Sequence, residues 1–330
     1  MKKKILIFIP SIEDGGVEKN LFVISNYLYS KNFSVEILTC NFDKSKKFNK
    51  GIKFIGNRNN LWKNKSRKIK YLICLKNLFL NLFNRKEKPL VFAFQANIYA
   101  VLVAKILNVK IITRSNSAPS GWSRNFIKNK IYKFIIKFAD DVMVNSLDFK
   151  KSFKKKFNIE AKCIYNPFDK SFIKKNLKKK VIKNNFFKKN YLNVLSVGRL
   201  TDQKDHLTLL KAINLFKQNF KIRLAIVGKG DEKNILQKYI IENKLQNKVK
   251  LVGYLKNPFP YIYQSKILIL TSKFEGLPNI LLEGQYLKKY IISTDCPTGP
   301  KEILLNGKAG DLIKIGDYKK LSFLISNSKN

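Results

Sequence analysis

The sequence has a single histidine, and its four cysteines lie far apart with no Cys-x-x-Cys pair. Zinc sites and disulfide frameworks depend on ligands or partners at close spacings, so we expect neither here. Acidic residues are also scarce, because 22 Asp and Glu face 66 Lys and Arg. The cysteine pattern fits a reducing cytoplasm, and we expect no metal and no cofactor.

Long apolar runs are absent as well. No segment reaches the roughly 18 apolar residues that a membrane-spanning helix needs. The basic start from Met1 to Lys4 leads into an apolar stretch that is too short for a signal peptide and continues as a strand pattern. We therefore expect a cytoplasmic protein, either soluble or peripheral on the inner face of the cell membrane.

The formal net charge is +44, and most of the excess lies in residues 1–190. Such a field concentrates anions, for example nucleic acid, acidic lipid headgroups or phosphorylated carriers. A genome biased toward Lys, Asn, Ile and Phe codons would raise the lysine content in the same way. Both explanations stay open.

Short apolar runs alternate with longer amphipathic stretches, which predicts parallel sheets with crossover helices and the α/β class. Five strands are predicted at 5–9, 35–39, 90–94, 111–113 and 142–145, and five more at 194–197, 223–227, 249–252, 267–271 and 290–293. These two series predict two parallel-sheet domains, at 1–168 and 191–330. The lysine-rich stretch 169–190 is interpreted as a linker. Because the chain ends soon after a predicted helix at 318–325, we expect the second domain to lack a terminal helix.

The segment Tyr71–Phe83 is strongly apolar and flanked by basic residues. This pattern is typical of a basic helix that seeks a membrane surface. It is equally compatible with an internal helix that leads into the next strand, and we favour that interpretation.

The most informative segment is Ile267–Glu283, with the sequence ILILTSKFEGLPNILLE. A predicted strand ends near Thr271, a loop carries Glu275 and Gly276, and Pro278 suits the first turn of a helix. This order places free backbone N–H groups and the positive end of a helix dipole at the carboxyl edge of a parallel sheet. The segment therefore predicts an anion site that suits a diphosphate.

Glu275 and Glu283 frame this site, eight positions apart. Carboxylates accept paired hydrogen bonds from sugar hydroxyls, so one could hold a transferred sugar and the other a ribose. The alternative is structural, with Glu275 capping the helix and Glu283 on a solvated face.

The stretch EGLPNILLE at 275–283 resembles the E-x7-E signature of the retaining GT-B glycosyltransferases of family GT4. Further segments resemble motifs of that family in the same order along nearly the whole chain. They are GGVEKNLFVISNYL from Gly15, IYNPFD from Ile164, VGRLTDQKDH from Val197, VGKGDE from Val227, VGY from Val252 and CPTGPKEIL from Cys296.

The resemblance implies a GT-B fold, in which two Rossmann-like domains face each other across a cleft, and an enzyme of the glycosyltransferase class. It implies that Arg199 and Lys204 hold the donor diphosphate, where two cations stabilise the leaving group without a metal. Either residue could instead be a surface charge. It further implies that Gly276 and Leu277 donate backbone N–H groups to phosphate, that Glu275 binds the donor sugar, and that Glu283 binds the ribose.

The same resemblance places Tyr254 in the loop that binds the base. Gly15 and Gly16 would open the first helix from the opposite domain, where Gly16 allows close approach to the phosphates. A tight structural turn is the alternative there. Gly299 is a weaker candidate for the same cleft.

The acceptor side departs from the family pattern. The only histidine, His206, lies at a predicted helix start among packing residues, so we interpret it as structural. Where many family members carry a histidine or another polar group, this chain offers Gln95, Asn97, Arg114 and Asn116. A retaining transfer does not require a protein base, because the departing phosphate oxygen can take the acceptor proton.

These observations predict transfer of a sugar from a nucleotide-diphosphate donor to a glycan or a polyprenyl- or lipid-linked acceptor, in cell-surface polysaccharide or lipopolysaccharide synthesis. An acidic membrane surface is expected as a partner. One alternative is a basic nucleic-acid-binding protein, although no helix-turn-helix or finger spacing occurs and we expect no nucleic acid partner. The other is a GT-B sugar epimerase or phosphorylase.

Overall fold

The computed structural model describes residues 2–12, 15–40, 42, 45–56, 65–116, 126–178, 186–217 and 220–328. Contacts divide the chain into two compact units, 1–167 and 168–330. Each unit contains one parallel sheet with helices on both faces, as alternating strands and amphipathic helices require.

The first unit contains strands β1 (Lys4–Phe8), β2 (Ser34–Leu38), β3 (Lys53–Ile55), β4 (Leu90–Ala93), β5 (Ile111–Ser115), β6 (Asp141–Val144) and β7 (Lys162–Cys163). Its helices are α1 (Gly16–Ser30), α2 (Arg67–Phe83), α3 (Asn97–Ile106), α4 (Phe126–Ile136) and α5 (Leu147–Phe157). All pairs are parallel, in the order β3-β2-β1-β4-β5-β6-β7. Strands β2 and β3 thus extend the sheet on one side of β1, and strands β4 to β7 extend it on the other side.

Alternate residues of β1 enter different cores, because successive strand side chains point to opposite faces. Leu6 and Phe8 pack with buried residues of α2, α3, α4 and α5, whereas Ile5 and Ile7 pack with Leu21 of α1. Four helices therefore cover one face of this sheet, and α1 lies on the other.

The second unit contains strands β8 (Leu192–Val197), β9 (Ile222–Val227), β10 (Val249–Gly253), β11 (Ile267–Leu270), β12 (Tyr290–Thr294) and β13 (Asp311–Ile313). Its helices are α6 (Lys170–Leu177), α7 (His206–Asn214), α8 (Lys233–Glu242), α9 (Phe259–Gln264), α10 (Asn279–Tyr286), α11 (Pro300–Ile303) and α12 (Tyr318–Asn327). The parallel order is β10-β9-β8-β11-β12-β13. Helices α7, α8 and α12 pack on one face, and α6, α9, α10 and α11 pack on the other.

All ten predicted strands are present, with bounds that shift by one or two residues. Three strands are missing from the prediction, namely β3, β7 and β13. Each has only two or three residues and lies at or near a sheet edge, so it offers too few alternations to be recognised. The predicted helix at 318–325 is present as α12.

The first part of the stretch interpreted as a linker, 169–190, forms helix α6 in the second unit. The Asp169 side chain caps it by accepting from the Phe172 N–H at 2.9 Å, and Ile173 is buried in the core of the unit. Because lysines surround this short apolar face, the composition of the stretch does not reveal the helix. Residues 179–185 lie outside the described residues.

Tyr71–Phe83 lies within α2, as the internal-helix interpretation predicts. Cys74, Leu78 and Leu82 are fully buried against the sheet. In the described part of the chain, no helix is long and apolar enough to cross a membrane.

Candidate functional site

The order of both sheets reverses in the middle, between β1 and β4 in the first and between β8 and β11 in the second. In open parallel sheets, ligands bind outside the carboxyl ends of the strands at such a switch point. The motifs predicted to bind the donor diphosphate follow β8 and β11, so the fold places them at the switch point of the second unit.

Two glycine loops meet backbone to backbone beside this point. Gly198 N–H donates to the Val227 carbonyl at 3.0 Å, and Leu200 N–H donates to the Lys229 carbonyl at 3.0 Å. A Cβ at Gly228 would lie 1.7 Å from the Gly198 carbonyl oxygen. A side chain there cannot be accommodated without moving a backbone, which explains why the VGRL and VGKG motifs occur together.

Arg199 follows this contact on the exposed surface. Its Nη2 donates to Oε1 of Gln203 at 3.3 Å, and Nε2 of Gln203 donates to the Phe274 carbonyl at 2.9 Å. Lys273 N–H also donates to the Gln203 carbonyl at 2.8 Å. Arg199 is thereby tied, through Gln203, to the loop that follows β11.

Lys204 and Glu275 form an ion pair at the centre of the site. Lys204 Nζ donates to Glu275 Oε1, and the two side chains are only 14% and 8% exposed. The Ser272 hydroxyl donates to the same oxygen at 2.6 Å. The predicted cation, Lys204, therefore points toward the strand-to-helix junction.

Cys296 is affected by the same surroundings. Its burial, and to a lesser extent the nearby Glu275 carboxylate, raises the pKa of the Cys296 thiol to about 12.

The loop after β12 supports the backbone of Glu275. Thr298 Oγ1 donates to the Glu275 carbonyl at 2.6 Å, and the Glu275 N–H donates to the Pro297 carbonyl at 3.4 Å. Gly299 has φ of +89°, and a Cβ there would lie 1.8 Å from the Gly276 carbonyl oxygen. Gly299 thus belongs to the same loop cluster, and only glycine fits both the space and the backbone conformation.

Helix α10 begins immediately after this loop. Pro278 is its N-cap, one residue earlier than the predicted first turn, and its carbonyl accepts from Leu281 N–H at 3.1 Å. The Leu277 side chain is buried in the core, and Glu283 is 6% exposed one turn into the helix. Glu283 therefore does not lie on a solvated face.

Tyr254 follows β10 and is half exposed. Lys229 Nζ lies 5.4 Å from the centre of its ring, within the range of a cation–π contact. The predicted base-binding loop thus presents an aromatic face next to a cation at the same sheet edge.

His206 lies at the start of α7 and is buried, with only 1% of its surface exposed. As a neutral imidazole it donates from Nε2 to the Arg199 carbonyl at 3.3 Å and accepts at Nδ1 from the Ser196 hydroxyl at 3.4 Å. Burial lowers the pKa of His206 to about 4. Its contacts position the backbone of Arg199, in agreement with the structural interpretation.

In the first unit, Gly15 is the N-cap of α1 and Gly16 is its first residue. Glu18 in the first turn is buried, and its Oε1 accepts from Gln95 Nε2 at 3.5 Å. Gln95 Oε1 in turn accepts from Ser11 N–H at 3.4 Å. These groups lie at the switch point of the first sheet. Glu18 received no role from the sequence, although it is part of the GGVE motif.

The other predicted polar residues of this unit form hydrogen bonds at the carboxyl edge of the sheet. Asn97 donates to the Arg114 carbonyl at 3.0 Å, and Asn116 donates to the Phe94 carbonyl at 3.3 Å. Arg114 is fully buried and donates from Nη2 to Asn166 Oδ1 at 3.0 Å. Burial lowers the pKa of the Arg114 guanidinium to about 10. These contacts give Asn97, Arg114 and Asn116 a structural role in holding the loops.

Comparison with known proteins finds a family that the second unit matches. The family model "Glycosyl transferases group 1" matches residues 178–327. The match covers most of the second unit, which therefore resembles the group 1 glycosyltransferases as the sequence motifs predicted. It is 33% identical to an uncharacterized glycosyltransferase of Methanocaldococcus jannaschii over 52% of this chain and 44% of that protein. The chain therefore spans less than half of that relative's length.

Two further relatives are named for lipid-linked glycan acceptors. One Campylobacter jejuni relative is named as an N-acetylgalactosaminyltransferase for an undecaprenyl-diphosphate-linked acceptor, with 27% identity over 68% of this chain and 62% of that protein. Another, also 27% identical, is named as an alpha-1,4-N-acetyl-D-galactosaminyltransferase. Its alignment covers 99% of this chain and 90% of that protein. None of these names indicates nucleic acid binding.

Solved structures show the fold. A glycosyltransferase from Rickettsia africae has a TM-score of 0.76 and 21% identity, covering 99% of this chain and 88% of its own. Anabaena HepE in complex with UDP-glucose has a TM-score of 0.79 and 18% identity, covering 99% and 90%. The predicted GT-B fold with two Rossmann-like parallel-sheet domains is confirmed.

Proposed function

We propose that this chain transfers a sugar from a nucleoside-diphosphate donor, bound by the second domain, to an acceptor bound by the first. The observation that carries the proposal is the buried contact between Lys204 and Glu275 at the switch point. A cation and a carboxylate there sit beside a helix start, which suits a ligand that contains both phosphates and hydroxyls. The assignment requires the two domains to face each other across a cleft, which stays a prediction.

The diphosphate would be held by charge and by backbone. Arg199 and Lys204 supply positive charge, and the N–H groups of Gly276 and Leu277 lie at the start of α10. As the bond to the sugar breaks, negative charge grows on the departing phosphate oxygen. Fixed cations stabilise this charge without reorganisation, so we expect turnover to need no metal and to persist with a chelator.

The remaining contacts would orient the donor. Glu275 accepts hydrogen bonds from hydroxyls of the transferred sugar, and Glu283 accepts those of the ribose. The ring of Tyr254 provides a face for the base. Gly16 lets the backbone at the start of α1 come near the phosphates.

The reaction would proceed with retention. The bond between the anomeric carbon and the phosphate oxygen breaks, and the acceptor oxygen forms a new bond on the same face of the sugar. The acceptor proton passes to the departing phosphate oxygen, so atoms and charge balance without a protein base. Gln95 and Glu18, at the switch point of the first sheet, would orient the acceptor hydroxyl.

The acceptor would be a glycan or a polyprenyl-linked sugar of a surface polysaccharide or lipopolysaccharide. The named acceptors of the Campylobacter jejuni relatives support this class, since both are undecaprenyl-linked. The net charge of +44 favours a phosphorylated acceptor and a peripheral place on the acidic inner face of the cell membrane.

A thermal-shift screen of nucleoside diphosphates, followed by assays of the matching sugar donors, tests the proposal. We expect one base to raise the melting temperature and its sugar donor to be consumed, with the anomeric configuration retained in the NMR spectrum of the product. Arg199→Ala should abolish turnover while the fold remains, because the Arg199 side chain is exposed. Full turnover in this variant would overturn the assignment.

A further inference from the structure

The outward face of α2 is apolar. Ile69, Leu72, Phe79 and Phe83 lie at positions i, i+3, i+10 and i+14, so they share one side of the helix. Leu72 and Phe83 are 68% and 63% exposed. The opposite side of α2 is also apolar and fills the core. Because a helix at the surface of a soluble domain normally turns charged residues outward, this second apolar face calls for a partner.

The same pattern continues on the two helices beside α2. Helix α3 packs against both α2 and α4, and the hydroxyls of Tyr99 and Tyr132 lie 3.3 Å apart where α3 meets α4. Ile106 on α3 and Phe134 on α4 are 73% and 64% exposed. Ile127 and Ile131 extend the exposed row on α4. We call the outward apolar surface of these three helices the outer face.

The charges around the outer face are mainly positive, and Asp140 after α4 is paired with Lys105 of α3. Helices α2, α3 and α4 contain no acidic residue in their sequences, whereas α2 and α4 both carry exposed lysines, such as Lys76 and Lys130. The next helix of the layer, α5, turns Lys150, Lys151 and Lys155 outward and has one acidic residue in its first turn. The partner must therefore be both apolar and anionic.

We propose that the outer face lies on an anionic lipid bilayer. Exposed leucine, isoleucine and phenylalanine side chains enter the boundary between headgroups and acyl chains, while the lysines remain at the level of the acidic headgroups. A second copy of the chain fits less well, because it would bring two lysine-rich layers together. The inference extends the peripheral location proposed above by naming the surface, and it can be tested without sugar transfer.

Vesicle sedimentation at low salt tests it with the full chain. Wild type should bind vesicles of phosphatidylcholine mixed with phosphatidylglycerol and be recovered poorly with phosphatidylcholine alone. Leu72→Ser/Phe134→Ser should weaken binding by at least about tenfold, since two large side chains no longer enter the bilayer. Lys150→Gln/Lys151→Gln should weaken it by about fivefold per lysine.

The matched control is Ile235→Ser/Ile241→Ser, which removes two side chains that are more than half exposed from α8 in the second unit. It should leave vesicle binding unchanged. All variants should keep the wild-type melting temperature and the affinity for the nucleoside diphosphate, which separates this proposal from the proposed activity.

Equal recovery of wild type on neutral and acidic vesicles would overturn the proposal. So would unchanged binding by the Leu72→Ser/Phe134→Ser variant. A dimer in light scattering that this variant dissociates would assign the outer face to a second copy of the chain instead.

Discussion

Removing Lys204 should destabilise the second domain more than removing Lys204 and the Glu275 charge together. Lys204→Met keeps the length of the side chain but leaves the buried Glu275 carboxylate with the Ser272 hydroxyl and no cation. An unpaired charge in such a place costs about 3–5 kcal/mol. Lys204→Met/Glu275→Gln removes both charges, and the amide oxygen can still accept from Ser272, so we expect it to recover about 2 kcal/mol of that loss.

A surface pair provides the control. Lys238 and Glu242 form an i,i+4 pair on α8 whose side chains are 77% and 57% exposed. Lys238→Met should cost less than about 0.5 kcal/mol. The contrast separates the effect of burial from the general effect of losing one lysine.

The assay must report on the second unit alone. Both tryptophans, Trp62 and Trp122, lie in the sequence of the first unit, so tryptophan fluorescence would miss the change. Hydrogen exchange of peptides from β8 and β11 in increasing urea gives the free energy of unfolding directly. A loss under about 1 kcal/mol for Lys204→Met, or a double variant as unstable as the single one, would refute the reasoning.

Three further outcomes are expected. His206→Gln should remove a pH dependence of stability that wild type shows between pH 6.5 and 4, measured by urea unfolding across this range. The pKa of His206 is lowered to about 4 in the folded state, so the unfolded state takes up the proton first as the pH falls. Wild-type stability is therefore full above pH 6.5 and falls by about 3 kcal/mol toward pH 4. Gly230→Ala, whose Cβ would lie 2.1 Å from the Leu200 carbonyl oxygen, should destabilise more than Gly253→Ala, where φ of +83° strains an alanine but no heavy atom lies within 4 Å. Equal melting temperatures would contradict this. Gly299→Ala should weaken nucleoside diphosphate binding at least about tenfold by displacing Gly276, as calorimetry would show.

The strands and the junction at 267–283 were predictable because they are local in sequence. Alternating apolar runs determine strands, and the order of strand, glycine loop and proline determines a helix start. The edge strands β3 and β13 were not predictable, since their pairing depends on long-range register in the sheet. Helix α6 was also missing from the prediction, because its one buried apolar residue, Ile173, is surrounded by lysines in the sequence.

The site was partly predictable. Spacing and family resemblance singled out Lys204 and Glu275, but not the buried bond between them, which depends on how β8 and β11 pair. The role of Gln203 in tying Arg199 to the loop after β11 was equally invisible, since its partner Phe274 is 71 residues away. Glu18 could have been found from the GGVE motif, where it occupies the first turn of α1.

The donor diphosphate is the central claim, and Arg199 tests it most directly because its exposed side chain can be removed without loss of packing. The measurement is calorimetric titration of wild type, Arg199→Ala and the control Lys238→Ala with the nucleoside diphosphate that the screen selects and with its nucleoside. We predict that Arg199→Ala weakens diphosphate binding at least about tenfold and leaves nucleoside binding unchanged. Unchanged affinity for the diphosphate, or equal losses for both ligands, would contradict the account.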